Sequence, residues 1–241
     1  MSKHLRYENT LHILTPAKSN VNGKFMNCMN TVLHSDITTH IKMNLSFQLF
    51  LGKSNIIHAR SIALTNWYDN SKDGDMFLFI DSDQTFSKND IIKAVNLKDC
   101  DLACGIYSNS MGVPTAFTVD LNAFLDNYRD NRILYAGTGF MLIKRPICRK
   151  IIDLIEKMDG ETRFCIEDGN PNIVPFFRTR FVDSENGLEP VDKKHWLGED
   201  FSFCWMARQC EGVIRGFISN TLGHEVLNVR GFVPDNFKGE L

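Results

Sequence analysis

Two carboxylates separated by one residue, at the end of an apolar run, are the first candidates for chemistry in this chain. The run is Phe77-Leu78-Phe79-Ile80-Asp81-Ser82-Asp83. A short apolar stretch bounded by turn signals predicts a strand buried on both faces. Such a strand would deliver Asp81 and Asp83 at its C-terminal end, where open α/β sheets collect their ligands. Two carboxylates there repel each other unless a cation or a donor compensates. A hard divalent ion is the simplest compensator, and it would also neutralise a bound diphosphate. The plain alternative is a polar strand end with Asp81 capping a turn.

Further motifs follow along the chain. Trp196-Leu197-Gly198-Glu199-Asp200 places an acidic pair where a helix is predicted to start. The helix macrodipole stabilises such a pair, and a general base is the second reading. Trp196 suits either the core or the face of a sugar. In Gly223-His224-Glu225 the imidazole would favour Mn²⁺ over Mg²⁺ if it ligated a metal. Arg60 lies within Asn55-Ile56-Ile57-His58-Ala59-Arg60-Ser61, where the plain reading is a surface or salt-bridging arginine. Gly137-Thr138-Gly139 interrupts an apolar run. Its glycines allow close backbone approach or mark a bulge, and their spacing is not that of a phosphate loop.

Elements that position these groups are predicted as follows. Leu11–Leu14 reads as a first strand stopped by Thr15-Pro16. Asn22–Leu33 reads as a helix, Ile41–Leu51 as a second strand, and Ile56–Tyr68 as a helix by the spacing of its apolar residues. Asp69–Gly74 breaks the chain. After Met76–Ile80, Ser87 and Asp90 suggest a capping box. Asp101–Tyr107 and Ile133–Lys144 read as strands, Pro146–Met158 and Asp200–Gln209 as helices, and Gly216–Asn220 as a late strand. The polar stretch Asp159–Lys194 is long enough to predict mobile functional loops. Strand–helix alternation gives an α/β class with a mostly parallel central sheet flanked by helices.

At this point a resemblance becomes specific. Asp81-Ser82-Asp83 after an apolar strand resembles the D-x-D motif of GT-A-fold glycosyltransferases, and Gly198-Glu199-Asp200 resembles the Glu-Asp element that opens a helix in many of them. The resemblance covers roughly residues 11 to 226, and small enzymes of this kind occur in bacteria, phages and large DNA viruses. It implies one GT-A-like, Rossmann-like domain over 1–241, with 1–108 holding nucleotide and metal and 109–241 holding donor sugar and acceptor. It implies a metal set of Asp81, Asp83 and His224, with Mn²⁺ favoured. Thr15, Pro16, Lys18, Arg60, Asp81, Ser82 and Gly139 would contact nucleotide or donor, Trp196 the acceptor, and Asp200 or Glu199 would act as base. The segment Asn55–Ser61 resembles the family's helix before the D-x-D strand, which implies that Arg60 touches the nucleotide or buttresses Asp81, although Ser61 stands where that family commonly has Asn after Ala-Arg. The implied reaction moves a sugar from a nucleoside diphosphate sugar, a UDP-sugar by preference, to a hydroxyl acceptor.

The same residues also spell Asp81-Ser82-Asp83-Gln84-Thr85, which resembles the nucleophile motif of haloacid-dehalogenase-type phosphatases. That motif normally sits on a first strand, whereas here about 75 residues of apparent α/β structure precede it. A non-catalytic nucleotide-sugar-binding module is a third reading. Composition sets the bounds. The chain has 241 residues, a formal charge of −2, and 43% apolar and 23% charged residues. No basic cluster suits a nucleic acid. No segment is long and apolar enough to span a bilayer, and the first residues lack the apolar stretch of a secretory leader. The 7 cysteines are odd in number and scattered, which predicts reduced, mostly buried thiols in a soluble, cytoplasmic chain, the host's cytoplasm if it is viral.

Overall fold

Short apolar runs between turn signals become strands, and amphipathic runs become the helices that cover them. The computed structural model describes residues 6–18, 20–52, 55–108, 114–117, 132–166, 172–183, 193–226 and 228–230. The strands of the first half are β1 (Thr10–Ala17), β2 (Asn44–Leu51), β3 (Met76–Ile80), β4 (Gln84–Thr85), β5 (Leu102–Ile106) and β6 (Ala116–Phe117). Those of the second are β7 (Tyr135–Ala136), β8 (Phe140–Lys144), β9 (Arg180–Val182), β10 (His195–Leu197), β11 (Ile214–Ile218), β12 (Gly223–Val226) and β13 (Asn228–Arg230). The helices are α1 (Gly23–Leu33), α2 (Ile37–Ile41), α3 (Ile56–Asn70), α4 (Lys88–Asn96), α5 (Arg145–Asp159) and α6 (Glu199–Gln209).

Six strands form the central sheet, in the order β11-β5-β8-β3-β1-β2. All neighbours are parallel except β8, which runs antiparallel to both β3 and β5. The architecture is therefore α/β and Rossmann-like, with a mostly parallel sheet between two helical layers. Side-chain alternation along β3 divides it between two cores. Phe77 and Phe79 join Trp67 of α3, Ile147 of α5 and Phe203 of α6. Leu78 and Ile80 face Phe25 of α1, Ile91 of α4 and Leu142 of β8. Aromatic rings run through the first core: Phe79 meets Phe177 edge-on at 5.5 Å, and Phe177 stacks on Phe203 at 4.6 Å.

Local signals explain the helix starts. Asn22 Oδ1 accepts from Lys24 N–H at 2.8 Å and Asn55 Oδ1 from Ile57 N–H at 3.0 Å, so each caps an otherwise orphaned donor. Asp90 accepts the Ser87 N–H at 2.8 Å, the return arm of a capping box. Pro occupies the first turn of α5, where its missing N–H costs nothing, and Gly160 ends that helix in the left-handed region at φ 78°.

Four sequence expectations need correction. β1 does not stop at Thr15-Pro16: Thr15 pairs with Leu49 and Pro16 with Phe50. Pairing with β3 ends at Leu14, so the proline falls where one side of the strand has no ladder bond to lose. Ile41 closes helix α2 instead of opening a strand, because Lys42 turns left-handed at φ 54° and resets the chain before β2. Ile133–Lys144 is two short strands, β7 and β8, with Gly137-Thr138-Gly139 as the turn between them. In the stretch Asp159–Lys194, Ile173, Val174, Phe176 and Phe177 are core residues rather than loop surface. Ser61 Oγ and Phe177 N–H hydrogen-bond at 3.1 Å and tie this segment to α3. Residues 167–171 and 184–192 lie outside the described residues.

Each of the seven cysteines is unbridged, and Cys100, Cys104, Cys148 and Cys204 are buried. Burial raises the Cys204 thiol to about 12, so it stays protonated and inert. Among the described residues no helix is long and apolar enough to cross a membrane.

Candidate active site

β1 and β3 lie side by side and end at the same edge of the sheet. Past that edge, Pro16, Ala17, Lys18, Asp81, Ser82 and Asp83 line a cleft of about 220 Å³, closed on one side by Ile56 and Arg60 of α3. The cleft thus occupies the position beyond the strand ends that the sheet topology favours. Most of the sequence-predicted nucleotide contacts converge here. Thr15 does not: it is fully buried inside β1, its hydroxyl has no partner among the described residues, and it is not part of the cleft wall.

Arg60 is the hub of the site. It lies one turn into α3 and is 4% exposed. Its Nη2 donates to both Asp81 oxygens, at 3.0 Å each. Its Nη1 donates to Glu199 Oε1 at 3.0 Å and to Asp200 Oδ1 at 2.7 Å. One guanidinium therefore joins the end of β3, 21 residues downstream of Arg60, to the start of α6, 139 and 140 residues downstream. Burial alone would lower the Arg60 pKa, but the charges of Asp81, Asp200 and Glu199 outweigh it and hold the group above its ordinary value. The planar fork suits this role, since five fixed donors serve several carboxylates at once.

The Gly137-Thr138-Gly139 turn brackets the same groups from the other side. Thr138 gives its N–H to Asp200 Oδ2 at 3.2 Å and its hydroxyl to Asp200 Oδ1 at 3.0 Å. Gly139 accepts the Asp81 N–H through its carbonyl at 3.0 Å. A Cβ on Gly139 would fall 2.0 Å from the Tyr107 hydroxyl, so only glycine lets that phenol lie against the turn. Burial, then the negative charges of Asp81 and Asp200, push the Tyr107 pKa well up, which keeps the phenol protonated. Neither Tyr107 nor Thr138 was singled out by sequence reasoning as a site residue. The Gly-Thr-Gly turn was visible as a signal, but its partner Asp200 is 62 residues away.

The acidic pair at the helix start is unequal. Both oxygens of Asp200 are engaged, by Arg60 and twice by Thr138. Glu199 makes its side-chain contact with Arg60 through Oε1. Burial first, and the neighbouring Asp200 charge second, raise the Glu199 pKa. Trp196 stands on β10, three residues before Glu199, paired in register with Phe181 of β9. The rings stack at 5.8 Å and are 70% and 74% exposed. The backbone of His224 lies opposite Gln84 in the β12–β4 pair, next to the acidic turn. Gln84 is fully buried, and neither end of its amide has a partner among the described residues.

Part of the compensation that the strand-end carboxylates require comes from the protein itself, because Arg60 meets both oxygens of Asp81. The balance of one guanidinium against Asp81, Glu199 and Asp200 nonetheless leaves the site negative, and Asp83 adds to that charge in the cleft wall. A divalent ion therefore fits the donor chemistry best at Asp83. Among the described residues no group of three or more metal-ligating side chains converges.

No protein-family model matches the chain, and no curated protein matches it in sequence. Similar solved structures exist at low identity. A197 from STIV is 15% identical, with a TM-score of 0.47, covering 92% of this chain and 86% of that one. A glycosyltransferase involved in glycosylation of the major capsid of PBCV-1 is 13% identical, with a TM-score of 0.30, covering 62% and 68%. HddC from Yersinia pseudotuberculosis is 12% identical, with a TM-score of 0.39, covering 89% and 92%. Scores at this level carry no activity over to this chain.

Proposed function

We propose that this chain is a metal-dependent, GT-A-type glycosyltransferase that moves a sugar from a nucleoside diphosphate sugar, by preference a UDP-sugar, to a hydroxyl acceptor. The observation that supports this most is the convergence on Arg60 of Asp81, from the end of a parallel strand, with Glu199 and Asp200, from the start of a helix. A cleft carrying Lys18, Ser82 and Asp83 lies directly beside them. Lys18 offers a positive charge to the diphosphate, and Arg60 holds Asp81 in place for the nucleotide. Asp83, with His224 as the further candidate from β12, would hold a divalent ion, Mn²⁺ before Mg²⁺. When bound, that ion stabilises the diphosphate leaving group.

Glu199 is the better base of the acidic pair. Its raised proton affinity sits nearer the working pH, which favours proton transfer from an acceptor hydroxyl. Asp200, with both oxygens held, fixes the Thr138 turn and the guanidinium. That reverses the order suggested by the resemblance, which put Asp200 first. The phosphatase alternative needs an Asp81 oxygen directed at phosphorus, but both oxygens are turned onto Arg60.

Thermal unfolding with UDP and a set of UDP-sugars, with and without Mn²⁺, tests the reading, because a ligand that binds the native state raises its apparent stability. Mn²⁺-dependent stabilisation by UDP, lost in Asp83→Ala, is the expected result. Stabilisation by no nucleotide, or phosphorylation of Asp81 during turnover of a phosphomonoester, would overturn it.

A further inference from the structure

A second cavity lies away from the acidic cleft, and at about 280 Å³ it is the larger of the two. It is bounded by the same two elements. β1 contributes His12, Ile13 and Leu14 here and Pro16 and Ala17 at the cleft, while α3 contributes Ala63, Asn66, Trp67 and Asn70 here and Ile56 and Arg60 at the cleft. The two linings share no residue, and their midpoints on β1, Ile13 and Ala17, are four positions, roughly 13 Å, apart.

The cause is the edge of the sheet. β2 alternates, and Phe47 and Leu49 of one face belong to the core beneath α1. The other face offers Ser46, Gln48 and Phe50, and α3 does not cover it, so Ser46 and Gln48 stay exposed. A polar shelf results, backed by an aromatic wall of Trp67 and Phe77. Trp67 is buried, and its Nε1–H has no acceptor among the described residues. Buried indole N–H groups ordinarily find one. His12 meets the Trp67 ring edge-on at 6.5 Å, and burial lowers its pKa against the opposing pull of Asp75, which favours the neutral imidazole.

We propose that this cavity is a binding site for one neutral sugar ring, separate from the acidic cleft. The lining offers carboxamides and hydroxyls from Gln48, Asn66, Asn70 and Ser46, with no carboxylate, lysine or arginine among its residues. One arginine outside the lining, Arg145, meets Ser71 at 3.2 Å, but its charge is met by Asp73 at 2.8 Å, so a phosphate or carboxylate gains little there. A hydroxyl-rich, uncharged ring matches those amides, and its C–H face matches the aromatic wall. The volume lies just under the usual range of ligand pockets and suits a single ring. This site does not depend on the reaction proposed for the acidic cleft.

The test uses the full chain labelled with ¹⁵N. The indole N–H signals of Trp67, Trp196 and Trp205 are assigned by comparison with Trp67→Phe and Trp196→Phe. The probes are the methyl glycosides of glucose, galactose, mannose and N-acetylglucosamine, titrated to tens of millimolar, with adenosine as the non-sugar control. At least one glycoside is expected to shift the Trp67 signal saturably and to leave Trp196 unmoved. A Gln48→Ala, Asn66→Ala double variant, both exposed positions, should weaken that binding at least 10-fold, about 1.4 kcal/mol. It should leave UDP binding at the acidic cleft as in the unmodified chain. No shift with any glycoside, a shift surviving intact in the double variant, or a shift by adenosine alone would each overturn the proposal.

Discussion

The two acidic motifs meet the same guanidinium but are built differently. Asp81 and Asp83 hang from the end of a strand, held by β3 and by the carbonyl of Gly139. Glu199 and Asp200 open a helix, held by backbone dipoles and by Thr138. In the strand-end motif Asp81 is locked to Arg60 while Asp83 borders the cleft. In the helix motif Asp200 is locked by three hydrogen bonds, while Glu199 has the raised pKa. Asp81 and Asp200 thus have both oxygens engaged, while Glu199 meets the same guanidinium through one oxygen and Asp83 forms part of the cleft wall. Two adjacent carboxylates need not do the same work, and neighbours brought by the fold assign the work.

Removing Arg60 breaks both motifs together and carries the largest expected effect. Arg60→Ala leaves Asp81, Glu199 and Asp200 without their shared cation. A cost of about 3–5 kcal/mol in unfolding free energy is expected, as for breaking a buried ion pair. Urea denaturation measures it, and a loss under about 1 kcal/mol would mean that the pair is no better than a surface bridge.

Separating the two members of the helix motif comes next. Glu199→Gln is expected to lower transfer by about 10²-fold or more with UDP affinity unchanged. Asp200→Asn should instead lower thermal stability and disturb both binding and rate. The reverse pattern would return the base role to Asp200. The pH dependence of stability adds a sign. Folded Glu199 binds its proton more tightly than it does unfolded at an ordinary 4.5, so its contribution is present below 4.5 and is lost as pH rises through the raised folded value. Glu199→Gln should remove that loss, leaving the variant at pH 7 no less stable than the parent. A stability profile across that window decides it.

Gly139→Ala acts on the bracket between the motifs. The new methyl must displace Tyr107 or the turn, at an expected cost of about 1–3 kcal/mol. A melting temperature equal to that of the parent would show that the phenol moves freely. Smallest of all is Trp196→Ser on the exposed ribbon: stability should change by no more than about 0.5 kcal/mol. Should the ring serve the acceptor, KM for acceptor rises while donor hydrolysis is untouched. Equal kinetics for both substrates would remove Trp196 from the acceptor side.

Local patterns made much of this fold legible. The apolar run Met76–Ile80 and the apolar periodicity of Ile56–Tyr68 predicted β3 and α3 nearly to their ends. Caps at Asn22 and Asn55 explain why the helices begin where they do. Direction was not legible: nothing in Phe140–Lys144 says that β8 runs against its neighbours, because a buried strand has the same apolar pattern either way. Phe176 and Phe177 were hidden in a polar stretch, since two aromatics make no period. At the site the carboxylates were legible as motifs and Arg60 as a candidate buttress. Its bonds to Glu199 and Asp200, and the grip of Thr138 on Asp200, depend on chain segments far apart in sequence, which no local window contains.

The pairing of β4 with β12 has a consequence for the order in which the molecule assembles. Thr85, two residues past Asp83, gives its hydroxyl to the carbonyls of Thr221 and Gly223, 136 and 138 residues downstream. A growing chain makes the acidic turn early but holds it without its final support until that late segment arrives. Contacts of such separation carry a loop-closure cost and form slowly. Synthesis at roughly 5–20 residues per second puts many seconds between the two events. β11, an edge strand of the central sheet, is nearly as late as β12, so the nascent protein would complete its sheet and close the seam between β4 and β12 together, well after the acidic turn has been made.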